Sequence, residues 1–200
     1  MTGSVAEERI RAKAEAALRE TWSTGRIIHE LMLRQGGCRI DLACVTPDRL
    51  ICVEVKSERD VLTRLKRQRE EAVQVADGFS VILAEKHWRK AWEEHHVSIC
   101  EAGKEDEFRL HLQRGQREVY EATCNAPARL DMLWASELRR VAGSGPKATR
   151  QYSIIQASDS LTGAEVRRRV CAALRARVFP RADPPVLSEL FPEPSMAIFG

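Results

Sequence analysis

The sequence predicts an α/β fold with a mixed central sheet, on three observations. Between Arg39 and Ser57, two runs rich in Ile, Leu, Val and Cys are interrupted by Thr46-Pro47-Asp48-Arg49, the pattern of a β-hairpin. Amphipathic segments with helical spacing lie on either side of that hairpin. Farther on, Phe79 to Ala84 is a continuous apolar run that follows a helical stretch. This suits a strand buried on both faces and reached by a crossover, so parallel pairing is expected beside the antiparallel hairpin.

In chain order, Ser4 to about Glu20 reads as an amphipathic helix with Val5, Ile10, Ala14, Ala17 and Leu18 on one face. Thr21 to Gly25 interrupt it. A second helix is expected over Arg26 to Arg34, with Ser23 or Thr24 as its cap, Ile27, Ile28, Leu31 and Met32 apolar, and Gly36-Gly37 as its stop. Next come the hairpin strands, 39 to 45 and 50 to 57. Alternation puts Ile40, Leu42 and Cys44 with Ile51, Val53 and Val55 on a core face, and Asp41 with Glu54 and Lys56 on the other. A turn centred between Pro47 and Asp48 pairs residues whose numbers sum to about 95, which sets Asp41 opposite Glu54. Like charges so placed destabilise a sheet unless something positive sits between them. A hard divalent cation such as Mg²⁺, which takes oxygen ligands, would answer that need, and Lys56 lies beside the gap.

Glu58 to Ala76 reads as a helix with Val61, Leu62, Leu65, Ala72, Val73 and Ala76 apolar and with Ser57 and Asp60 in its first turn. Asp60, Arg64 and Gln68 recur every four residues, as a polar ridge would. After the buried strand, Glu85 to Glu94 reads as a helix carrying Trp88 and Trp92, and Val97 to Cys100 as a strand. His87, His95 and His96 lack a ligand constellation and read as structural or exposed. An acidic stretch at 101 to 107 precedes a hairpin across Arg114-Gly115-Gln116. From Arg129 the character becomes helical: Leu130, Leu133, Trp134 and Leu138 form a helix ending near Gly143. Thr162 and Glu165 then make a capping box for a helix bearing Val166, Val170, Leu174 and Val178. The tail beyond Pro180 is proline-rich and expected to be irregular, with Leu187, Leu190 and Phe191 as docking residues. Two regions are therefore expected, 1–128 and a basic helical region 129–200.

The combination of Asp41, twelve residues, then Glu54-Val55-Lys56 across a hairpin resembles the signature of the PD-(D/E)xK nucleases, the restriction-endonuclease-like superfamily. Asp60, Arg64, Leu65 and Gln68 look like one branch of it, found in small bacterial and phage proteins. Ile40 stands where the name-giving proline would be. The resemblance covers about residues 20 to 100 and implies an αβββαβ core. It further implies a metal-dependent nuclease, acting on DNA in repair, restriction or a phage-related setting. In that reading Asp41, Glu54, the carbonyl of Val55 and Glu30 hold Mg²⁺, with Mn²⁺ as a substitute, and Lys56 positions water or stabilises charge. Arg64 is implied as a phosphate contact and Gln68 as an orienting group.

Composition sets the remaining bounds. Two hundred residues with 44% hydrophobic content furnish a core, no run has the apolar length of a membrane span, and the charged N-terminus is unlike a signal peptide. Cytoplasmic residence is the expectation. The six cysteines show neither CxxC pairs nor finger spacing, and Cys44 and Cys52 read as small core hydrophobes. The net charge of +3 is modest but unevenly spread. Arg139 to Arg181 holds ten Lys or Arg and two Asp or Glu, so +8 lies there and 3 − 8 = −5 elsewhere. Phosphate contacts supply sequence-independent affinity, so Arg167 and Arg168 are expected to bind nucleic acid. The alternatives are a catalytically inactive nucleic-acid-binding module and an interaction subunit with the same fold. The sequence also admits a homodimer or larger assembly.

Overall fold

The computed structural model describes residues 5–34, 36–87, 89, 99–101 and 125–187. Helix α1 (Val5–Thr21) leads into three antiparallel strands, β1 (Arg26–Met32), β2 (Arg39–Val45) and β3 (Leu50–Lys56). Helix α2 (Leu65–Val75) then crosses to β4 (Gly78–Leu83), which pairs parallel with β3, and β5 (Ile99–Glu101) adds a parallel edge. The strand order is β1-β2-β3-β4-β5, so the sheet is mixed, as expected from the buried run after a crossover helix.

The sheet is buried on both faces, whereas the alternation of β2 and β3 suggests a single core face. Ala14, Ala17 and Leu18 of α1 cover one face with Ile27, Leu42, Cys44, Ile51 and Val53. On the other, α2 packs Leu65, Ala72 and Val75 over Ile28, Ala43, Val45, Leu50, Cys52 and Val81. Each fully buried Leu or Ile contributes about 1.5–3 kcal/mol of transfer free energy.

Residues 26 to 34, expected as a helix, contain strand β1. Its apolar set Ile27, Ile28, Leu31 fits helical spacing, but β-branched side chains tolerate a strand equally, and the choice falls to the partners. Ile27 faces α1 and Ile28 faces α2, a two-sided burial that only a central layer provides. Gly25 allows the entry, since a Cβ there would meet Cys44 Sγ at 2.2 Å. The β1 edge is covered by the tail: Ala182 bridges Ile28, His29 donates its N–H to the Arg181 carbonyl, and Asp183 donates its N–H to the Ile27 carbonyl. The docking segment is thus 181–183, while Leu187 is exposed and Leu190 and Phe191 lie outside the described residues.

Helix α2 begins at Leu65, seven residues later than expected. Ser57 and Asp60 bond each other in the preceding turn, where Ser57 donates from N–H and Oγ to Asp60 Oδ2 at 2.7 and 2.6 Å. Asp60, Arg64 and Gln68 therefore do not form a helical ridge. His87 is buried in a short 3₁₀ turn (Glu85–His87), with Nε2 3.0 Å from the Ser57 carbonyl, which accepts from it. Trp88, Trp92, His95, His96, the acidic stretch beyond Glu101 and the hairpin around Gly115 lie outside the described residues.

Among the described residues the C-terminal region has four helices: α3 (Ala126–Leu130), α4 (Ala135–Ala142), α5 (Arg150–Ser160) and α6 (Gly163–Ala176). Gly143, at φ 62°, ends α4 as expected, and Thr162 with Glu165 forms the capping box of α6. Helix α5, capped by Thr149, has no counterpart in the sequence reading. Leu130, Leu138, Ile154, Val166, Val170 and Leu174 share one hydrophobic cluster with α2 and the sheet. The helices between 126 and 176 are consequently packed into the same core as the strands.

Candidate functional site

Strand alternation fails at one place, and the candidate site is there. Ile28 and Ala43 face α2. Three residues away on their strands, Leu31 and Ile40 face α2 as well, where strict alternation would turn them to α1. Ile40 therefore lies opposite the face expected for it. The break falls at Glu30 and Asp41, missing from an otherwise continuous register in which His29 pairs Leu42 and Leu31 pairs Ile40. Glu30 has φ 59°, the left-handed region that a side chain makes costly, typically by 1–3 kcal/mol when surroundings enforce it.

Pairing of β2 with β3 follows the expected register from Val45↔Leu50 to Leu42↔Val53 and stops before Asp41. Asp41 is not held face to face with Glu54. Its Oδ2 accepts the Val55 N–H at 2.8 Å, while Oδ1 accepts from Arg11 Nη2 at 3.1 Å. Arg11 Nη1 donates to the Asp41 main-chain carbonyl at 3.0 Å and to Glu30 Oε1 at 3.3 Å, and Nη2 also reaches Glu7 Oε1 at 3.1 Å. Arg39 Nε pairs with Glu30 Oε2 at 2.7 Å. Glu30 thus stands on a strand, within an ion network, and not on a helix.

Glu54 lies toward α2. Its Oε1 accepts from Lys56 Nζ and from Gln68 Nε2, both at 2.5 Å, and all three side chains are buried. Glu54 and Lys56 share a face as i and i+2 residues of β3 must. Burial first, and the negative charge of Asp41 second, push the Glu54 carboxyl from its ordinary 4.5 up to about 7, against the opposing pull of Lys56 and Gln68. The Val55 N–H places Asp41 beside Glu54 on β3, and each carboxylate has a cation of its own: Arg11 for Asp41, Lys56 for Glu54. Side chains thus bring a positive charge to each carboxylate.

The donor chemistry nonetheless suits a hard cation. Glu54 Oε2 and Gln68 Oε1 are buried with no hydrogen-bond partner, two oxygen acceptors of the type Mg²⁺ takes. Among the described residues no group of three or more His, Cys, Asp or Glu is assembled as a metal cage. A site built on them would rely on one or two carboxylates, with the remaining positions left to water and phosphate.

The other expected substrate contacts separate. Arg64 is exposed at the N-terminal boundary of α2. Arg167 is not beside the carboxylates: its Nε lies 3.1 Å from Asp77 Oδ1, and Asp77 Oδ2 accepts the Leu50 N–H at the opposite end of β3. Leu50 and Glu54 are about 13 Å apart at strand rise. Arg168 is exposed on α6. Two residues of the expected basic surface are internal instead. Arg175 is buried and donates to the carbonyls of Thr24 and Val45, while Arg177 is buried against Glu137, the Met132 carbonyl and the Trp134 ring.

Sequence reasoning missed Arg11 and Glu7. Their i,i+4 spacing on α1 is visible in the sequence, but only the packing of α1 against β2 brings them to Asp41.

Fold and site together define a mixed α/β protein with an acid, acid, lysine cluster where β2 and β3 part. A family model described as bacteriophage P4 protein cII matches residues 3–184, and the chain belongs to that family. No curated protein and no solved structure matches it. Among the described residues no helix is long and apolar enough to cross a membrane.

Proposed function

We propose that the chain is a divalent-metal-dependent nuclease acting on DNA, with a restriction-endonuclease-like core. The observation that carries this reading is the buried Glu54, Lys56, Gln68 cluster beside Asp41, in which Glu54 Oε2 is left without a partner. The succession α1, β1, β2, β3, α2, β4, with β3 and β4 parallel, supports the αβββαβ core. Asp41, Glu54 and the Val55 carbonyl would hold Mg²⁺ or Mn²⁺, with Glu30 at the margin. A metal held there would supply Lewis acidity to a phosphate oxygen and to a water molecule.

The residues of the chain do the positioning. The Val55 N–H fixes one oxygen of Asp41, and Gln68 fixes the Glu54 carboxylate. Lys56, a compact charge on a flexible stem, turns from Glu54 toward a phosphate oxygen or the attacking water and offsets the charge developing there. Exposed Arg64 and Arg168 are candidates for backbone phosphate contacts that carry no sequence information.

A second reading, a catalytically inactive nucleic-acid-binding module, is favoured by one observation: Arg11 and Lys56 already neutralise the carboxylates. Incubation with plasmid, linear duplex, single-stranded DNA and RNA in Mg²⁺, Mn²⁺ or EDTA decides between them. The nuclease reading expects metal-dependent cleavage that Asp41→Ala abolishes. Salt-sensitive DNA binding without cleavage of any substrate would establish the binding module instead.

A further inference from the structure

Resting on the metal-dependent reading of the site, we propose that Arg11 is a built-in competitor for the cation at Asp41, so that metal enters only when its guanidinium is displaced. The two halves of the site differ in readiness. Glu54 keeps one buried oxygen free, whereas both side-chain oxygens of Asp41 are taken, one by the Val55 N–H and one by Arg11. The Val55 N–H belongs to the strand backbone and cannot leave without breaking β3. Arg11 sits on a long side chain and can.

Arg11 is also held as a bound cation would be. It is buried, with 8% of its surface exposed, and it touches oxygens from three carboxylates, Glu7, Glu30 and Asp41, besides the Asp41 carbonyl. A guanidinium does not lose its proton in proteins, so raising the pH does not open this contact. Either a stronger cation competes it away or helix α1 shifts. Glu7, one turn toward the N-terminus of the same helix, gives Arg11 an i,i+4 partner that it keeps after releasing Asp41, which lowers the cost of displacement.

The test is Mn²⁺ binding by calorimetry and the Mn²⁺-dependent rise in Tm, for wild type, Arg11→Met, Arg11→Lys and the double variant Arg11→Met with Asp41→Asn. Arg11→Met is expected to bind Mn²⁺ about tenfold tighter or more, within the range typical of coupling between sites. It is also expected to melt lower than wild type in EDTA and to gain more on metal addition. Arg11→Lys, which keeps the charge but loses the two-nitrogen bridge, should fall between, and it decides the matter if Arg11→Met does not fold. The double variant should lose the gain. Binding by wild type and both single variants with equal affinity would overturn the competitor role while leaving the metal site standing, as would weaker binding by Arg11→Met. Absence of binding in all variants would overturn both this inference and the nuclease reading.

Discussion

Arg11 and Asp41 are joined twice, through Nη2 to Oδ1 at 3.1 Å and through Nη1 to the main-chain carbonyl at 3.0 Å. The pair ties α1 to β2 at the point where the sheet's alternation breaks and where Glu30 adopts φ 59°. A strained backbone, a buried arginine and converging carboxylates at one spot have no counterpart elsewhere among the described residues. Strain of this kind persists where the surroundings over-determine it, and it clusters at functional sites.

Lys56 separates chemistry from architecture. Its ammonium contacts Glu54, and an ammonium offers no ligand atom to a divalent ion. Lys56→Ala is expected to keep metal binding and most DNA affinity but to lower the cleavage rate by on the order of 10² or more. Removing a buried cation beside Glu54 also tightens Mn²⁺ slightly, because the remaining field is more negative. Single-turnover cleavage in Mg²⁺ measures the first effect, and cleavage at the wild-type rate would remove Lys56 from the mechanism.

Glu54 gives the protein a pH signature. Its carboxyl rises from 4.5 to about 7 on folding, so between those values the folded state binds more protons than the unfolded state. Stability from this group is therefore full below about pH 4.5, falls as pH rises to about 7, and is level above, a loss of at most about 3 kcal/mol. Glu54→Gln, neutral throughout, should lack this slope. Denaturant unfolding of both proteins between pH 4.5 and 8 tests the difference, and parallel curves would contradict the assignment. Metal, which requires the ionised carboxylate, should bind more tightly toward pH 7 and above and release a proton on binding.

Arg26 supports the other end of β1. Its Nη1 donates to the carbonyls of Leu174, Arg175 and Arg177 at 2.7–2.9 Å, and its Nε and Nη2 to that of Asp183, satisfying the last turn of α6 with a positive charge. Arg26→Met should cost on the order of 3 kcal/mol, since it strands several buried carbonyls. Urea titration reads this as a lowered midpoint with an unchanged slope. Truncation after Gly143 should likewise unfold the chain, because α5 and α6 belong to the common core.

The sequence by itself determined the elements whose signals are local. The hairpin turn at 46–49, the buried run at 79–83, the capping box of Thr162 and Glu165, and the glycine stop at Gly143 each depend on a few neighbouring residues, and each is found where the pattern puts it. The Glu54, Lys56 pair was legible for the same reason, since strand alternation fixes which i,i+2 side chains meet. Tertiary structure decided the rest. It made Arg26–Met32 a strand, because pairing with β2 and burial on two faces outweighed a spacing that a helix also satisfies. It sent Arg167, Arg175 and Arg177 to internal carboxylates and carbonyls, which a count of charges along the chain does not distinguish from a surface. It also brought Arg11 from α1 onto Asp41, thirty residues away, a contact that spacing along the chain does not reveal. A sequence records the charge that must be balanced, and only the packing of one element on another determines which cation balances it.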